Sequence, residues 1–553
     1  MVKRALAGTG RDEDRSVVRV GGLAVLASFS SFFYYFQRGE ILMHGDATAH
    51  INIARRMFDS LTPGPLQLGR VWLPLPHLLM MPFLVPDKLW QTGVGGSIPS
   101  MIAYVLGVLG IFRLVGGLLE ANARTQPSAR VGAGLAALAY GANPNLIYVQ
   151  TTALTETLYL AFFIWTLVYF AEFLRELGGD EKATNSARTS LRRCACCVGC
   201  AEMTRYDGWF LAGVIGAIVV VLVVRRWEDG QLRRMAAIFL PAMVVVPALW
   251  LIYGAAVYGN ALDFSNGPYS ARAIEMRVGA PNPAFHNFGL GALYFLKSAQ
   301  ITLAVGNWGR WWLLAAAVAG LLGVRILRGR GLTVLLVLWS PVAFYAYALA
   351  YGSVPLHVPL WWPFAVFNQR FGLELLPMFA VSAGWLASLI WASWPRVTLW
   401  KLTVAAGVLM VASYAFVLKS GPLDLVEASR NWAMRRGLDG SVERVLKMLP
   451  SDSIYLMDLA EHVSIMERLG IPLRRIVNSE NHRVWKQPTD PEGIWERALA
   501  NPAGYVNYVI AFEGDAVDRG VNRTGLNLLA VIHGTGQPTA RIYETARPVN
   551  QSR

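Results

Sequence analysis

Apolar runs of about 17 to 25 residues, the length that crosses a bilayer as a helix, recur along most of the chain with short polar segments between them. They lie at approximately 17–38, 97–120, 131–150, 153–175, 191–206, 208–225, 235–259, 309–327, 332–352, 371–394 and 398–418. The run 191–206 is short and carries Arg192 and Glu202. His286 to Gly306 is also apolar and reads as re-entrant or interfacial. The pattern predicts an α-helical polytopic membrane protein of about 11 transmembrane helices.

After residue 419 the period changes. Ser453–Met457, Arg474–Val477, Tyr508–Phe512 and Leu528–Ile532 read as strands, and Glu461–Leu469 as a helix. Gly534-Thr535-Gly536-Gln537-Pro538 reads as the turn of a hairpin whose first arm is Leu528–Ile532. Two domains are expected: a membrane domain over 1–419 and a small extracytoplasmic α/β domain over 420–553. The first external loop, 39–96, is expected to hold an interfacial helix. There Ile51, Ala54, Phe58 and Leu61 recur at helical spacing, while Arg55, Arg56 and Asp59 face elsewhere.

Composition sharpens this picture. The chain is 54% hydrophobic and 16% charged, against roughly 25% charged residues in soluble domains. Its formal charge of +14 is no sign of nucleic-acid binding, because the clusters Arg192-Arg193, Arg225-Arg226, Arg233-Arg234 and Arg325, Arg328 and Arg330 sit between apolar runs. That is the positive-inside pattern. It places the N-terminus in the cytoplasm and the C-terminal domain outside, across a plasma (inner) membrane. Val20 to Phe36 is too long for a cleavable leader and reads as an uncleaved first span. Trp311-Trp312 and Trp361-Trp362 suit interfacial belts. Cys194, Cys196, Cys197 and Cys200 lack a second ligand pair or a redox context, so they are expected to pack without metal.

Sorted by side, Asp46, His50, Glu156, Arg205, Asp207, Arg370 and Glu374 all fall near the external face. Ionisable residues at a membrane rim are functional candidates. Acids activate a nucleophile or bind a cation, and guanidinium groups hold phosphate oxygens. Each residue also has a plain structural role open to it. Asp46 could cap the interfacial helix, and His50 could sit on its polar face. Thr152 or Thr155 could cap the helix that begins at Glu156. Arg205 and Asp207 could form a local pair, and Arg370 and Glu374 an i,i+4 pair. Gly93-Val94-Gly95-Gly96 lacks a strand–turn–helix context, and no nucleotide fingerprint is present.

Gly45-Asp46-Ala47 with the helix Ile51–Ser60 resembles the membrane-integral GT-C glycosyltransferases. So do Trp72-Leu73-Pro74-Leu75-Pro76-His77, Leu154-Thr155-Glu156, Thr204-Arg205-Tyr206-Asp207-Gly208 and Arg370-Phe371-Gly372-Leu373-Glu374-Leu375-Leu376-Pro377. The style is that of bacterial relatives of protein O-mannosyltransferases and lipid A aminoarabinose transferases. The resemblance implies a polyprenyl-phosphate-linked sugar donor, such as a mannose-like hexose, and a lipid, glycan or protein acceptor outside. It implies an acid of the first external loop as general base, here Asp46. The protein mannosyltransferases carry an Asp-Glu pair at that place. Ala47 follows Asp46 here, so a second acid would come from elsewhere, Glu156 or Asp207. Some relatives need a divalent cation and others do not, and the sequence leaves this open. The function expected is an inverting hexosyl transfer, with Arg205 and Arg370 stabilising the departing lipid phosphate and His50, Glu156, Asp207 and Glu374 lining the substrate site. The alternative is a transporter or flippase of lipid-linked glycans. That reading calls for internal repeats and mid-span ionisable residues, which the chain does not display.

Overall fold

The computed structural model describes residues 2–121, 125–267, 269–278, 282–352, 354–393, 396–459, 462–482 and 493–546. Among them, eight helical segments are long and apolar enough to cross a membrane. They are Arg15–Gln37, Val94–Glu120, Glu156–Glu176, Asp207–Arg225, Gly230–Tyr258, Gly331–Tyr351, Gln369–Trp391 and Val404–Leu446. The protein is a polytopic helical membrane protein with a small C-terminal α/β unit.

Four expected spans take a different form. The run 131–150 is broken into the helices Ala129–Gly141 and Pro144–Val149. Pro144 cannot continue a preceding helix, and Asn143 caps the new one, its Oδ1 accepting from the backbone N–H groups of Asn145 and Leu146. The run 191–206 is part of a longer, more polar helix, Glu181–Glu202, started by the Asp180 carboxylate accepting from Ala183 N–H. Polar composition hid its first turns. The backbone is helical throughout Gly309–Tyr351, where two spans and a basic turn were expected. That turn contains no proline to interrupt the helical hydrogen bonds. The segment expected to be re-entrant or interfacial forms the helix Phe288–Leu303.

Small residues set the closest helix crossings. A Cβ on Gly132 would lie 2.6 Å from the Gly384 carbonyl, and one on Gly384 would lie 2.6 Å from that of Gly132. The helices Ala129–Gly141 and Leu376–Ser393 thus touch backbone to backbone, as small-residue interfaces allow in membranes.

The C-terminal sheet has the order β2-β1-β3-β5-β4. Its strands are β1 (Tyr455–Met457), β2 (Ile476–Val477), β3 (Tyr508–Phe512), β4 (Leu526–Gly534) and β5 (Gln537–Thr545). β2, β1 and β3 run parallel, while β5 is antiparallel to both β3 and β4. β3 is buried at every position, as suits the central strand. β4 and β5 form the hairpin, turned at Thr535-Gly536 with Gly536 at φ +68°, a conformation glycine adopts freely. The expected helix is Val463–Leu469; Glu461 lies outside the described residues.

This unit covers the first loop. Glu467 Oε2 accepts from Asn52 Nδ2 at 2.7 Å, and Asn52 Oδ1 accepts from Trp90 Nε1 at 3.0 Å. Asp59 accepts from the backbone N–H groups of Leu473 and Arg474 and pairs with Arg474 Nη1 at 3.1 Å. The helix Gly45–Arg56 is therefore clamped between the membrane helices and the C-terminal unit rather than lying free in the interface. Arg55 and Asp59, expected on its outer side, are 4% and 2% exposed. Arg55 is held by Asp59, by the carbonyls of Leu84 and Val85, and by Asp87.

Of the four cysteines, all free, Cys194 packs in the core, Cys197 and Cys200 are half-buried, and Cys196 is exposed. Tight packing therefore describes Cys194 and not Cys196, which projects from the opposite side of the helix.

Candidate active site

The seven candidate residues come from four separate stretches of chain, and six of them form one connected network. Arg370 is its hinge. Its Nη2 donates to Asp46 Oδ2 at 2.5 Å, its Nε to Glu156 Oε1 at 2.8 Å, and its Nη1 to His44 Nε2 at 2.7 Å. Glu156 Oε1 also accepts from Arg205 Nη1 at 2.9 Å. Arg205 Nε lies 3.2 Å from Asp207 Oδ2 and 3.4 Å from Glu374 Oε1, and its Nη2 donates to the Tyr345 hydroxyl at 3.0 Å. Tyr345 in turn donates to Asp207 Oδ2 at 2.8 Å, with Glu374 Oε1 at 3.2 Å.

Local structure explains who meets whom. Arg370 and Glu374 do not pair with each other. Residues Gln369–Leu375 form a 3₁₀ helix, in which positions four apart are rotated by about 120° rather than lying one above the other. Arg370 is thereby turned to Asp46 and Glu156, and Glu374 to Arg205. Gly372 allows this helix to lie against Phe288–Leu303, since a Cβ there would be 2.6 Å from the Ser298 backbone. The Arg205–Asp207 pair exists, but as one edge of a larger net. Thr155 stands at the N-cap position of Glu156–Glu176 without a side-chain cap bond; its hydroxyl instead accepts from Arg205.

Asp46 is not the cap of its helix. His44 stands at that position, with Nδ1 3.3 Å from Asp46 N. The Asp46 carboxylate is left to Arg370 and to the open side of the site. Its side chain is 38% exposed, whereas Glu156, Asp207 and Glu374 are 2%, 8% and 1% exposed. Among the four acids only Asp46 offers an oxygen to an incoming molecule.

Desolvation works to raise the Asp46 pKa, but the Arg370 guanidinium, helped by His44 and His50, holds the carboxyl down at about 2. Burial, reinforced by Arg370, pushes the His44 imidazole down to about 4. His50 is also pushed down to about 4 by burial, against the pull of Asp46 and Glu156. Both rings are neutral near pH 7. His50 is buried rather than on a polar face: its Nδ1 lies 2.9 Å from His77 Nε2, and its ring packs on Trp72 at 4.6 Å. It joins the site through the field of its neighbours rather than through a bond to the network.

Sequence reasoning missed His44, Tyr345, Asp424 and Glu427. The last two belong to the helix Leu423–Leu446, are 1% and 3% exposed, and act electrostatically on Arg370. Among the described residues no three His, Cys, Asp or Glu side chains converge as metal ligands.

Such a site can take a proton at Asp46 and neutralise negative charge with two guanidinium groups. The chain's fold is similar to that of solved membrane-protein structures. The structure of ArnT from Cupriavidus metallidurans, solved bound to undecaprenyl phosphate, superposes with a TM-score of 0.51 at 15% identity, covering 95% of this chain and 97% of that one. The oligosaccharyltransferase AglB from Archaeoglobus fulgidus, in complex with an inhibitory peptide and a dolichol-phosphate, gives 0.49 at 11% identity, covering 90% and 69%. No family model and no curated protein matches the sequence.

Proposed function

We propose that this protein is an inverting glycosyltransferase that moves a sugar, a mannose-like hexose or a relative of one, from a polyprenyl-phosphate donor to a lipid, glycan or protein acceptor outside the plasma membrane. The observation that carries the reading is Asp46, the one exposed carboxylate among the four of the network, bonded to the buried guanidinium of Arg370 on a GT-C-like scaffold. The undecaprenyl phosphate bound by another protein of this fold supports it. In this reading the N-terminus is cytoplasmic, residues 1–419 form the membrane domain, and 420–553 form an extracytoplasmic domain that closes over the first loop.

The chemistry follows from the bonds described above. Held at about 2, Asp46 is a weak base, because proton acceptance works best when the pKa lies near the working pH. The donor phosphate competes with Asp46 for Arg370. When it takes over that guanidinium, the carboxylate loses its main acidifying partner and becomes a stronger base. The acceptor hydroxyl then attacks the anomeric carbon, its proton passes to Asp46, and the bond from that carbon to the phosphate oxygen breaks. Arg370 and Arg205 stabilise the charge gained by the leaving polyprenyl phosphate.

The test is to incubate purified protein with a panel of radiolabelled polyprenyl-phosphate hexoses and membrane-extracted acceptors. The reading expects label to leave at least one donor together with formation of polyprenyl phosphate, and no turnover of nucleotide sugars. Transbilayer movement of the donors without cleavage would replace it with transport.

A further inference from the structure

A second basic site lies at the other end of the membrane helices. The helices Glu181–Glu202 and Gly230–Tyr258 pack side by side, and a cavity of about 310 Å³ opens between them. At its mouth stand Arg188, Arg192 and Arg234. Arg188 to Glu202 is fourteen residues, or roughly 21 Å of helix at 1.5 Å per residue, and Glu202 adjoins the turn that carries Arg205. The groove is thus remote from the Asp46 network.

Its chemistry is graded along the helix axes. Arg188, Leu191, Arg192 and Ala195 share one face of the first helix, and Arg234, Ile238, Phe239 and Ala242 one face of the second. Guanidinium groups occupy one end and apolar side chains the other. Leu191 and Phe239 form a buried floor at 3% exposure each, and Ile238 is a wall 65% exposed. The small side chains of Ala195 and Ala242 keep the apolar end open.

Among the described residues no acid answers the three arginines. Among the described residues none forms an ion pair, and the bonds of Arg188 go to the uncharged Gln231 and Asn185. The nearby carboxylates of Asp180 and Asp229 are engaged in capping the two helices. Unanswered positive charge directly above an apolar slot complements a molecule with an anionic head and a hydrocarbon tail. The volume is at the small end of ligand pockets, roughly 300–1,000 Å³, and suits a headgroup with the first methylenes of its chains.

We infer that this groove binds an anionic glycerophospholipid of the leaflet opposite the Asp46 site, the phosphate held by Arg188, Arg192 and Arg234 and the chains laid against Leu191, Ile238 and Phe239. Basic pockets between membrane helices hold anionic headgroups in this way.

Native mass spectrometry of the detergent-purified full chain, offered equal amounts of phosphatidylglycerol and phosphatidylcholine, tests this. Wild type should retain phosphatidylglycerol by at least about tenfold over phosphatidylcholine. The variant R188Q/R192Q/R234Q should lose the preference, and so should Ile238→Trp, which keeps every charge but fills the apolar end. R225Q/R226Q/R233Q, with the same charge removed outside the groove, should keep it. Equal retention of the two lipids by wild type, equal loss in both triple variants, or an unaffected Ile238→Trp would each overturn the site. Displacement of the lipid by millimolar inorganic phosphate would overturn it in favour of a simple ion site. Melting temperatures without added lipid identify any variant that has failed to fold, and R192Q alone, expected to weaken retention in part, then serves in place of the triple variant; full retention by a folded R192Q would count against the site.

Discussion

Arg370 meets Asp46 across 324 residues of chain, Nη2 to Oδ2 at 2.5 Å, while its Nε holds Glu156. One guanidinium therefore ties the first loop to the start of two membrane helices, and the two bonds differ in surroundings. Glu156 is 2% exposed and Asp46 38%. Removing one partner of a buried pair costs about 3–5 kcal/mol because a charge is left unanswered. Arg370→Gln should thus lower the melting temperature markedly, and Asp46→Asn should lower it by less. Detergent-solubilised thermal unfolding measures both, and equal losses would show that the two bonds are equivalent.

Acid should weaken the fold in two stages. His44 and His50 stay neutral in the structure down to about 4, while unfolded histidine protonates near 6.5. Between those values the unfolded chain binds more protons, so stability falls as the pH drops from 6.5 to 4. Asp46, depressed from 3.8 to about 2, adds a further loss over that lower interval. A double H44Q/H50Q variant should flatten the first stage of a melting-temperature profile. An unchanged slope between 6.5 and 4 would show that neither imidazole is responsible.

Glu467 should behave in the opposite sense. Burial pushes its carboxyl up to about 8, so the folded state holds a proton that the unfolded state loses near 4.5. Its contribution is complete below 4.5 and disappears as the pH rises through about 8. Glu467→Gln keeps an acceptor for Asn52 and has no proton to lose. The variant should melt above wild type at about pH 9, and the gap should close near pH 5. A gap independent of pH would remove titration as the cause.

The turn that carries Arg205 and Asp207 has no room for a side chain at Gly208. A Cβ there would lie 2.4 Å from the Ala201 backbone, whereas Gly213 in the same helix has nothing within 4 Å. Gly208→Ala should cost about 1–3 kcal/mol through overpacking, with loss of transfer as Arg205 is displaced. Gly213→Ala should be neutral or stabilising by up to about 1 kcal/mol. Parallel melting and activity measurements on the pair check this.

Much of the site was legible because membrane topology sorts residues by side. Charge bias alone put Asp46, Glu156, Arg205, Asp207, Arg370 and Glu374 on one face, and the structure brings those six together. Their pairing was not legible. It depends on the 3₁₀ geometry of Gln369–Leu375, which a sequence read at α-helical spacing does not reveal. Tyr345 was hidden inside an apolar run, and Asp424 and Glu427 fell beyond the boundary drawn at residue 419. In the C-terminal unit, short β-rich runs and a Gly-containing turn announced β1, β3 and the hairpin. Burial of Arg55 and Asp59 was invisible for the opposite reason: the cover comes from residues more than four hundred positions away.

The central claim, that Asp46 is the base of a lipid-phosphate-dependent sugar transfer, rests most directly on one comparison. Single-turnover transfer from a labelled polyprenyl-phosphate sugar should be measured for wild type and Asp46→Asn at saturating donor. The substituted amide fills the same place as the carboxylate and cannot accept the acceptor's proton. The account predicts a loss of about a hundredfold to ten-thousandfold in rate, with polyprenyl phosphate still bound through Arg205 and Arg370. Transfer by the Asp46→Asn protein at the wild-type rate would contradict it.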